Sequence, residues 1–183
     1  MQKTASKKSR SRTEQLHLHH FNSPLGRIEL AQTDKGVCRI SLSGERTSLA
    51  AEMIGSMRGD FELRSGGAEN RKAAGQLKEY FAGKRRRFDF KLDIQVSDFK
   101  RKTLVEGVMK IPYGKTRSYS DVARSVGSPR ACRAVGNANA TNPLPLVIPC
   151  HRVVGANGLG GYGGGLELKK KLLALEARHS GRS

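Results

Sequence analysis

The sequence contains few cysteines. It has three, Cys38, Cys132 and Cys150, and none of them belongs to a Cys-x-x-Cys pair. An odd number without that spacing argues against a disulfide framework and against a cysteine-based zinc site. The histidines at positions 17, 19 and 20 have no cysteine close by. We therefore expect a reducing compartment and no bound metal.

Long apolar runs are also missing. No stretch of apolar residues approaches the length of a membrane span, and the first residues are basic and polar. A spanning helix needs about 20 largely apolar residues, and a secretory signal needs an apolar core. From these absences we expect no membrane partner and a cytoplasmic location.

Acidic residues are scarce as well. The chain has 16 Asp and Glu against 34 Lys and Arg, for a net charge of +18 and a pI of about 10.4. Five of the cations and no acid lie in residues 1–12, and subtracting those five leaves +13 on the rest of the chain. Such an excess is typical of a protein that binds a polyanion. The composition predicts a nucleic-acid partner and hence an association with the nucleoid.

The hydrophobic pattern divides the chain into two domains between two tails. We predict a disordered basic tail, a domain with helices and a small antiparallel sheet, a mostly helical domain and a short C-terminal tail, over residues 1–14, 15–95, 96–178 and 179–183. In the first domain, "GRIELA" and "VCRISL" alternate on either side of Asp34-Lys35-Gly36 and predict a hairpin. "RFDFKLDIQV" also alternates and predicts a half-buried strand. The fold class is therefore α+β, with helices predicted at 47–58 and 68–82.

The second domain contains the spacing of a helix-turn-helix. A first helix is expected to be capped by Ser97 or Asp98, with Val105, Val108 and Met109 facing inward. Two short helices then join at Gly127-Ser128-Pro129. On the second of these, the predicted DNA-facing residues are Arg130, Arg133, Ala134 and Asn137, and the predicted packing residues are Ala131, Cys132 and Val135. Small residues on the first face would let the helix backbone approach DNA closely; the alternative is an ordinary amphipathic pair of helices.

Cys150 is followed directly by His151 and preceded by three prolines, in "NPLPLVIPCHRVVG". A cysteine reacts as the thiolate, which needs a nearby base or positive field. Adjacent side chains in a strand point to opposite faces, so contact with His151 requires a turn or a bridging water. Asn142 can hold such a turn by bonding backbone groups. The alternative is that Cys150 is simply a small buried hydrophobe.

The last helix carries an acid on its apolar side. Leu168, Leu172 and Leu175 form an apolar arc, and Glu176 falls inside it. A buried acid needs a partner, and orienting the imidazole would complete a Cys/His/Glu relay. Alternatively, Glu176 frays into solvent at the helix end. Lys169 projects at a similar angle, but we expect its long side chain to reach water.

Several motifs resemble the active-site half of the O6-alkylguanine-DNA alkyltransferases. They occur in order over about residues 97–177: "IPYGKTRSYSDVA", "NPLP", "IPCHRVVG" and "GGYGGGLELKKKLLALE". "SPLGRIELAQTDKGVCRISL" resembles, more loosely, the ribonuclease H-like N-terminal domain of that family. The resemblance implies a DNA repair protein that flips O6-alkylguanine out of double-stranded DNA through the minor groove. It also implies irreversible, single-turnover transfer of the alkyl group to the protein's own cysteine, as a monomer and without a cofactor.

The same resemblance implies roles for individual residues. Cys150 would accept the alkyl group, His151 would act as base through a water, Glu176 would orient the imidazole, and Asn142 would brace the turn. Tyr119 would rotate the nucleotide and donate to guanine N3.

For the DNA, the resemblance implies that Arg133 would take the place of the flipped guanine, on the face with Arg130, Ala134 and Asn137. The base pocket would be lined by Val153, Tyr162, Gly163 and Pro145. Carbonyl groups of Cys150 and Val153 would read the exocyclic amine. Gly163 departs from the members that carry serine there, and no zinc ligand set matches that of the zinc-binding members.

Two other functions remain open on sequence alone. A non-catalytic helix-turn-helix module that recognises alkylated bases would need no reactive thiol, yet the chain keeps the cysteine that non-catalytic relatives replace. A thiol hydrolase with a Cys/His relay would explain neither the net charge nor the arginine face of the helix-turn-helix.

Overall fold

A computed structural model describes residues 14–42, 49–56 and 61–181 of the chain. Most of the predicted basic tail and the last two residues lie outside these ranges. The described elements, in chain order, are β1 Glu14–Ser23, β2 Gly26–Thr33, β3 Gly36–Ser41, α1 Leu49–Ser56, β4 Phe61–Ser65, α2 Ala68–Phe81, α3 Asp98–Arg101, a π-helix Lys102–Val108, β5 Arg117–Ser118, α4 Tyr119–Ser125, α5 Cys132–Ala140, a 3-10 turn Cys150–Arg152, β6 Val153–Val154 and α6 Leu166–Ser180.

The N-terminal half forms a four-stranded sheet in the order β3-β2-β1-β4. The hairpin of β2 and β3 is confirmed, and β1 pairs with β2 in the same antiparallel sense. The α+β fold class is confirmed, but the small sheet predicted to be antiparallel is mixed, because β4 runs parallel to β1. Because β3 and β4 lie at opposite edges of the sheet and run in the same direction, the connection that joins them, which contains α1, is a crossover.

The predicted strand at 87–96 is also wrong. This segment makes a single bridge with the sheet, at Leu92 and Val37. Helix α2 takes the place of a partner strand: the amides of Asp89 and Lys91 donate to Gln76 Oε1 (3.1 Å) and Glu69 Oε2 (2.8 Å). Because side chains satisfy these amides, no second ladder forms.

The predicted alternation along that segment holds in part. Phe90 is buried, whereas Asp89 and Lys91 are exposed. Asp93 was expected to face solvent but is buried, with its carboxylate accepting a hydrogen bond from Thr33 Oγ1 at 2.7 Å. A buried carboxylate with a donor from β2 ties the segment to the sheet.

The C-terminal half is mostly helical, as predicted. Its first helix begins at Asp98 and continues as a π-helix from Lys102. Of the residues expected to face inward, Val108 is buried while Val105 and Met109 are half-buried, because the wider π turns rotate the later residues away from α-helical positions.

One apolar cluster joins the two halves. It contains Leu30 and Leu77 from the first half and Leu104, Ile148 and Leu172 from the second. The division of the chain between residues 95 and 96 stays a prediction. None of the described helices has the length and apolar character needed to cross a membrane.

Candidate active site

The helix-turn-helix consists of α4 and α5. Ser118 caps α4 through a capping box, in which the Asp121 amide donates to Ser118 Oγ (3.1 Å) and the Ser118 amide donates to Asp121 Oδ2 (3.0 Å). The chain turns at Gly127, whose φ of +72° favours glycine. Val122 on α4 and Val135 on α5 are both fully buried and hold the pair against the core.

The outer face of α5 carries three of the predicted DNA-facing residues. Arg133, Ala134 and Asn137 are exposed, while Cys132 is half-buried against the core. Arg130 was placed on the same helical face, but α5 begins at Cys132. Arg130 therefore lies, exposed, in the preceding turn.

Tyr119 opens α4 and touches the glycine-rich loop after β6. Its hydroxyl donates to the Gly161 carbonyl at 3.3 Å. A Cβ on Gly160 would lie 2.8 Å from the Tyr119 ring, so this close approach requires glycine. Burial and then the charge of Cys150 raise the pKa of Tyr119, which keeps its hydroxyl a donor at neutral pH.

Cys150 lies at the start of a 3-10 turn, and its residue is 6% exposed. Asn142 Nδ2 donates to Cys150 Sγ (3.1 Å) and to the Ile148 carbonyl (2.8 Å), while Asn142 Oδ1 accepts from the Leu144 amide (3.0 Å). Burial raises the pKa of the Cys150 thiol, although Asn142 and the charge of Lys169 oppose that rise. The resting thiol therefore keeps its proton and needs a base.

His151 is fully buried beside it. Its Nε2 lies 2.8 Å from Glu176 Oε1, and its Nδ1 makes no hydrogen bond within the described part of the chain. Since the carboxylate accepts, we assign the Nε2–H tautomer, which leaves the Nδ1 lone pair as the basic site. Burial lowers the pKa of His151, so the imidazole is neutral at rest.

Glu176 is fully buried and holds several donors at once. Arg152 donates to both carboxylate oxygens (Nη2 to Oε1, 2.8 Å; Nε to Oε2, 2.9 Å), Tyr80 donates to Oε1 (2.8 Å) and the Gly114 amide to Oε2 (2.9 Å). Burial alone would raise the pKa of Glu176, but hydrogen bonds from His151 and Arg152 lower it to about 2. The alternative in which Glu176 frays into solvent is wrong, because α6 continues to Ser180.

The sequence reasoning missed three of the groups around Glu176. Arg152 follows His151 directly and could have been noticed as a cation beside the relay. Tyr80 belongs to an apolar helix face, and the donor of Gly114 is a backbone amide. No local pattern in the sequence distinguishes either of these last two groups.

Lys169 was expected to reach water, and this expectation is wrong. The residue is fully buried, and Nζ donates to the carbonyl groups of Val153 (2.6 Å), Leu159 (2.5 Å) and Gly161 (3.1 Å). Three carbonyl groups converge on the ammonium and replace its water. Lys169 thereby fastens the glycine-rich loop to the strand that follows Cys150.

Of the predicted pocket residues, Tyr162 and Gly163 belong to this loop, and Val153 is joined to it through Lys169. Val153 and Pro145 are buried, Tyr162 is half-buried and Gly163 is exposed. The Val153 carbonyl already accepts from Lys169, which leaves one lone pair for a ligand. Next to Pro145, Leu146 has a φ of +74°, a strained conformation in the segment leading to Cys150.

Two family models match the chain. Residues 16–94 match the ribonuclease-like domain of 6-O-methylguanine DNA methyltransferase, and residues 98–178 match the DNA binding domain of the same family.

Individual relatives agree with these matches. A methylated-DNA--protein-cysteine methyltransferase of Methanosarcina barkeri is 43% identical over 163 residues, covering 85% of this chain and 94% of that protein. The protein of the same name from Mycolicibacterium paratuberculosis is 53% identical over 122 residues, covering 64% and 73%. The fold is similar to that in the crystal structure of Mycobacterium tuberculosis OGT in complex with DNA, with a TM-score of 0.77 and 35% sequence identity. The match covers 89% of this chain and 94% of that one. The chain contains both domains in sequence, and it therefore belongs to the methylated-DNA--protein-cysteine methyltransferase family.

Proposed function

We propose that Cys150 is the acceptor through which this DNA alkyltransferase removes alkyl groups from O6-alkylguanine, once per chain. The observation that carries the proposal is the buried relay, in which His151, next in sequence to Cys150, directs Nε2 to Glu176 Oε1 and leaves Nδ1 without a hydrogen bond in the described part of the chain. A non-catalytic DNA-binding module would have no use for this arrangement. Membership of the family supports the same conclusion.

The chemistry begins with a proton transfer. The proton leaves Cys150 Sγ and passes through a water to His151 Nδ1, and Glu176 stabilises the resulting imidazolium. The thiolate attacks the alkyl carbon in line, so the sulfur–carbon bond forms as the carbon–O6 bond breaks. Tyr119 turns its hydroxyl from the Gly161 carbonyl to donate a hydrogen bond to guanine N3. The guanine anion takes one proton from solvent while the His151 imidazolium returns its own to solvent, so the base leaves as neutral, unmodified guanine. The thioether is stable, and none of these steps needs a cofactor.

The base must leave the duplex before it reaches Cys150. Eversion costs on the order of a few kcal/mol, which a wedge side chain and a fitted pocket offset. We propose Arg133 as the wedge and the minor groove as the side of approach, because exposed Ala134 lets α5 come close to the groove. Asn137 and Arg130 would contact the DNA around it, and one chain would act alone.

The pocket for the everted base would form where Tyr119 contacts the glycine-rich loop, once the hydrogen bond from its hydroxyl to the Gly161 carbonyl opens. Val153, Tyr162 and Pro145 would line it, and the amide of Gly163 would take the place of a serine hydroxyl as donor to O6. Because the proposed substrate is duplex DNA, we also propose that the protein is located at the nucleoid.

Arg133→Ala tests the wedge. We expect the transfer rate from duplex DNA to fall about 10- to 100-fold, because the cost of eversion is no longer offset. Transfer from a free O6-alkylguanine base should be unchanged, since no base needs to be everted. Arg130→Ala removes the same charge and should cost only a few-fold in affinity for duplex. Equal losses for both variants would contradict a wedge role for Arg133.

The function itself is tested by incubating the protein, without any cofactor, with a duplex that carries one O6-methylguanine. We expect the peptide that contains Cys150 to gain the mass of one methyl group, once per chain, as measured by mass spectrometry. Protein that binds the duplex but stays unmodified after long incubation would favour the non-catalytic binding module instead.

A further inference from the structure

The relay is bonded to the N-terminal half of the chain. Tyr80, near the end of α2, donates its hydroxyl to Glu176 Oε1 at 2.8 Å across 96 residues of sequence. Both side chains are fully buried. The oxygen that accepts from Tyr80 is the one that lies 2.8 Å from His151 Nε2. The Tyr80 contact is as short as the 2.8 Å contacts of His151 and Arg152 with the same oxygen.

The Tyr80 ring is held on several sides. It packs edge-to-face against Tyr113 and Phe81, with ring centroids 5.9 Å and 5.4 Å apart, and lies 5.8 Å from Phe88. Burial and then the charge of Glu176 raise the pKa of Tyr80 well above 10, so the hydroxyl remains a donor throughout the working range of pH. A fixed ring with a permanent donor restricts how the carboxylate can turn.

The charged groups around Glu176 and His151 determine how the loss of the Tyr80 donor would shift the pKa of His151. Glu176 faces Arg152 from the 3-10 turn and Tyr80 from α2, while His151 faces Glu176, Arg152 and the ammonium of Lys169. Burial and then the charge of Glu176 raise the pKa of Tyr113 as well. At Oε1, His151, Arg152 and Tyr80 share one anionic oxygen. Removing one donor leaves more negative charge for the others.

We propose that Tyr80 is a positioning residue for alkyl transfer, through which the N-terminal half holds the Glu176 carboxylate in the orientation that His151 requires. This inference rests on the proposed function of Cys150, His151 and Glu176. It gives the ribonuclease-like half a part in orienting the catalytic base, in addition to its packing against the helical half.

The test compares Tyr80→Phe with Tyr113→Phe. Tyr113 lies beside Tyr80, but its hydroxyl makes no hydrogen bond within the described residues, so its loss is a matched control. The rate of transfer from a free O6-alkylguanine base is measured from pH 5 to 9, and the His151 imidazole is titrated by NMR.

For Tyr80→Phe we expect two changes. The unanchored carboxylate should lower the rate about tenfold at neutral pH, a part of the about 100-fold or more that general-base catalysis contributes. Greater charge on Oε1 should stabilise the imidazolium, so the acid limb of the rate profile and the NMR midpoint should both rise by about half a pH unit. Tyr113→Phe should move neither. A purely structural role would lower the rate of Tyr80→Phe without moving the limb.

The proposal is overturned if Tyr80→Phe folds and its acid limb and NMR midpoint match those of Tyr113→Phe. If Tyr80→Phe does not fold, 3-fluorotyrosine placed at position 80 keeps the ring and strengthens the donor, and the midpoint should then fall. Unchanged titration with fluorotyrosine would likewise overturn it. If the wild-type protein transfers no alkyl group, the proposed function fails, while the NMR midpoint still decides whether Tyr80 controls His151.

Discussion

Replacing Cys150 by alanine is expected to abolish alkyl transfer while leaving the affinity for duplex DNA largely unchanged. The substitution removes the atom that forms the new bond, and no neighbouring group in the relay is a comparable nucleophile. The fold should survive, because alanine leaves a space of only one sulfur atom. Transfer is measured as methyl mass gained by the protein, and affinity by titration of a fluorescent duplex.

The other two cysteines provide the controls for this experiment. Cys38 is half-buried, donates to the Ala31 carbonyl (3.4 Å), and has a pKa that burial raises to about 11. Cys132 is half-buried at the start of α5, away from the relay. Cys38→Ala and Cys132→Ala should both transfer at the wild-type rate. Residual transfer in Cys150→Ala, with methyl found on either of them, would contradict the assignment of the acceptor.

The second large effect is expected from Glu176→Gln. The change keeps the shape of the side chain but leaves the buried Arg152 guanidinium without its anion. Where the amide NH2 replaces Oε1, it meets the donor groups of Arg152, His151 and Tyr80, and no hydrogen bond can form. Breaking a buried pair in this way costs about 3–5 kcal/mol of stability. The transfer rate should fall about 100-fold or more, because the imidazolium is no longer stabilised. Chemical denaturation and single-turnover kinetics measure the two losses.

The stability difference between wild type and Glu176→Gln should depend on pH. The pKa of Glu176 is lowered in the folded protein to about 2 from its ordinary 4.5. Its contribution to stability is therefore present above pH 4.5 and is lost as the pH falls towards 2. The two proteins should converge in stability over that window, as measured by denaturation at several pH values.

His151 adds to the same trend in the wild-type protein. Burial lowers its pKa below 6.5, so the folded state favours the neutral imidazole. Stability from this group is present above pH 6.5 and falls as the pH drops below it.

The control for Glu176→Gln is Glu167→Gln, at an exposed position in the first turn of α6, which should change neither the transfer rate nor the stability. A constant stability gap between wild type and Glu176→Gln across this range would argue against an ionised Glu176 in the fold.

The two halves of the protein differ in how far they could be predicted. The hairpin of β2 and β3, the two short helices joined at Gly127 and the exposed face of α5 follow from patterns within about 20 residues, which local geometry decides. The edge strand β4 was not predicted, and the segment at 87–96 was predicted wrongly as a strand. Their hydrogen bonding depends on which groups, distant in sequence, lie next to them in the folded chain. Gln76 and Glu69 on α2 accept from amides that a neighbouring strand would otherwise have paired.

The sequence by itself determined the chemical character of the site: a cysteine beside a histidine in a proline-rich turn, and an acid inside the apolar arc of the last helix. These are properties of adjacent or helically spaced residues, so they are visible in one dimension. Only the tertiary structure decided that Lys169 turns inward to three carbonyl groups and that Tyr80 reaches the relay from the other half of the chain. The physical reason is that a buried charge selects its partners by proximity in the folded core, and residues as far apart as Tyr80 and Glu176 come together only when both halves pack.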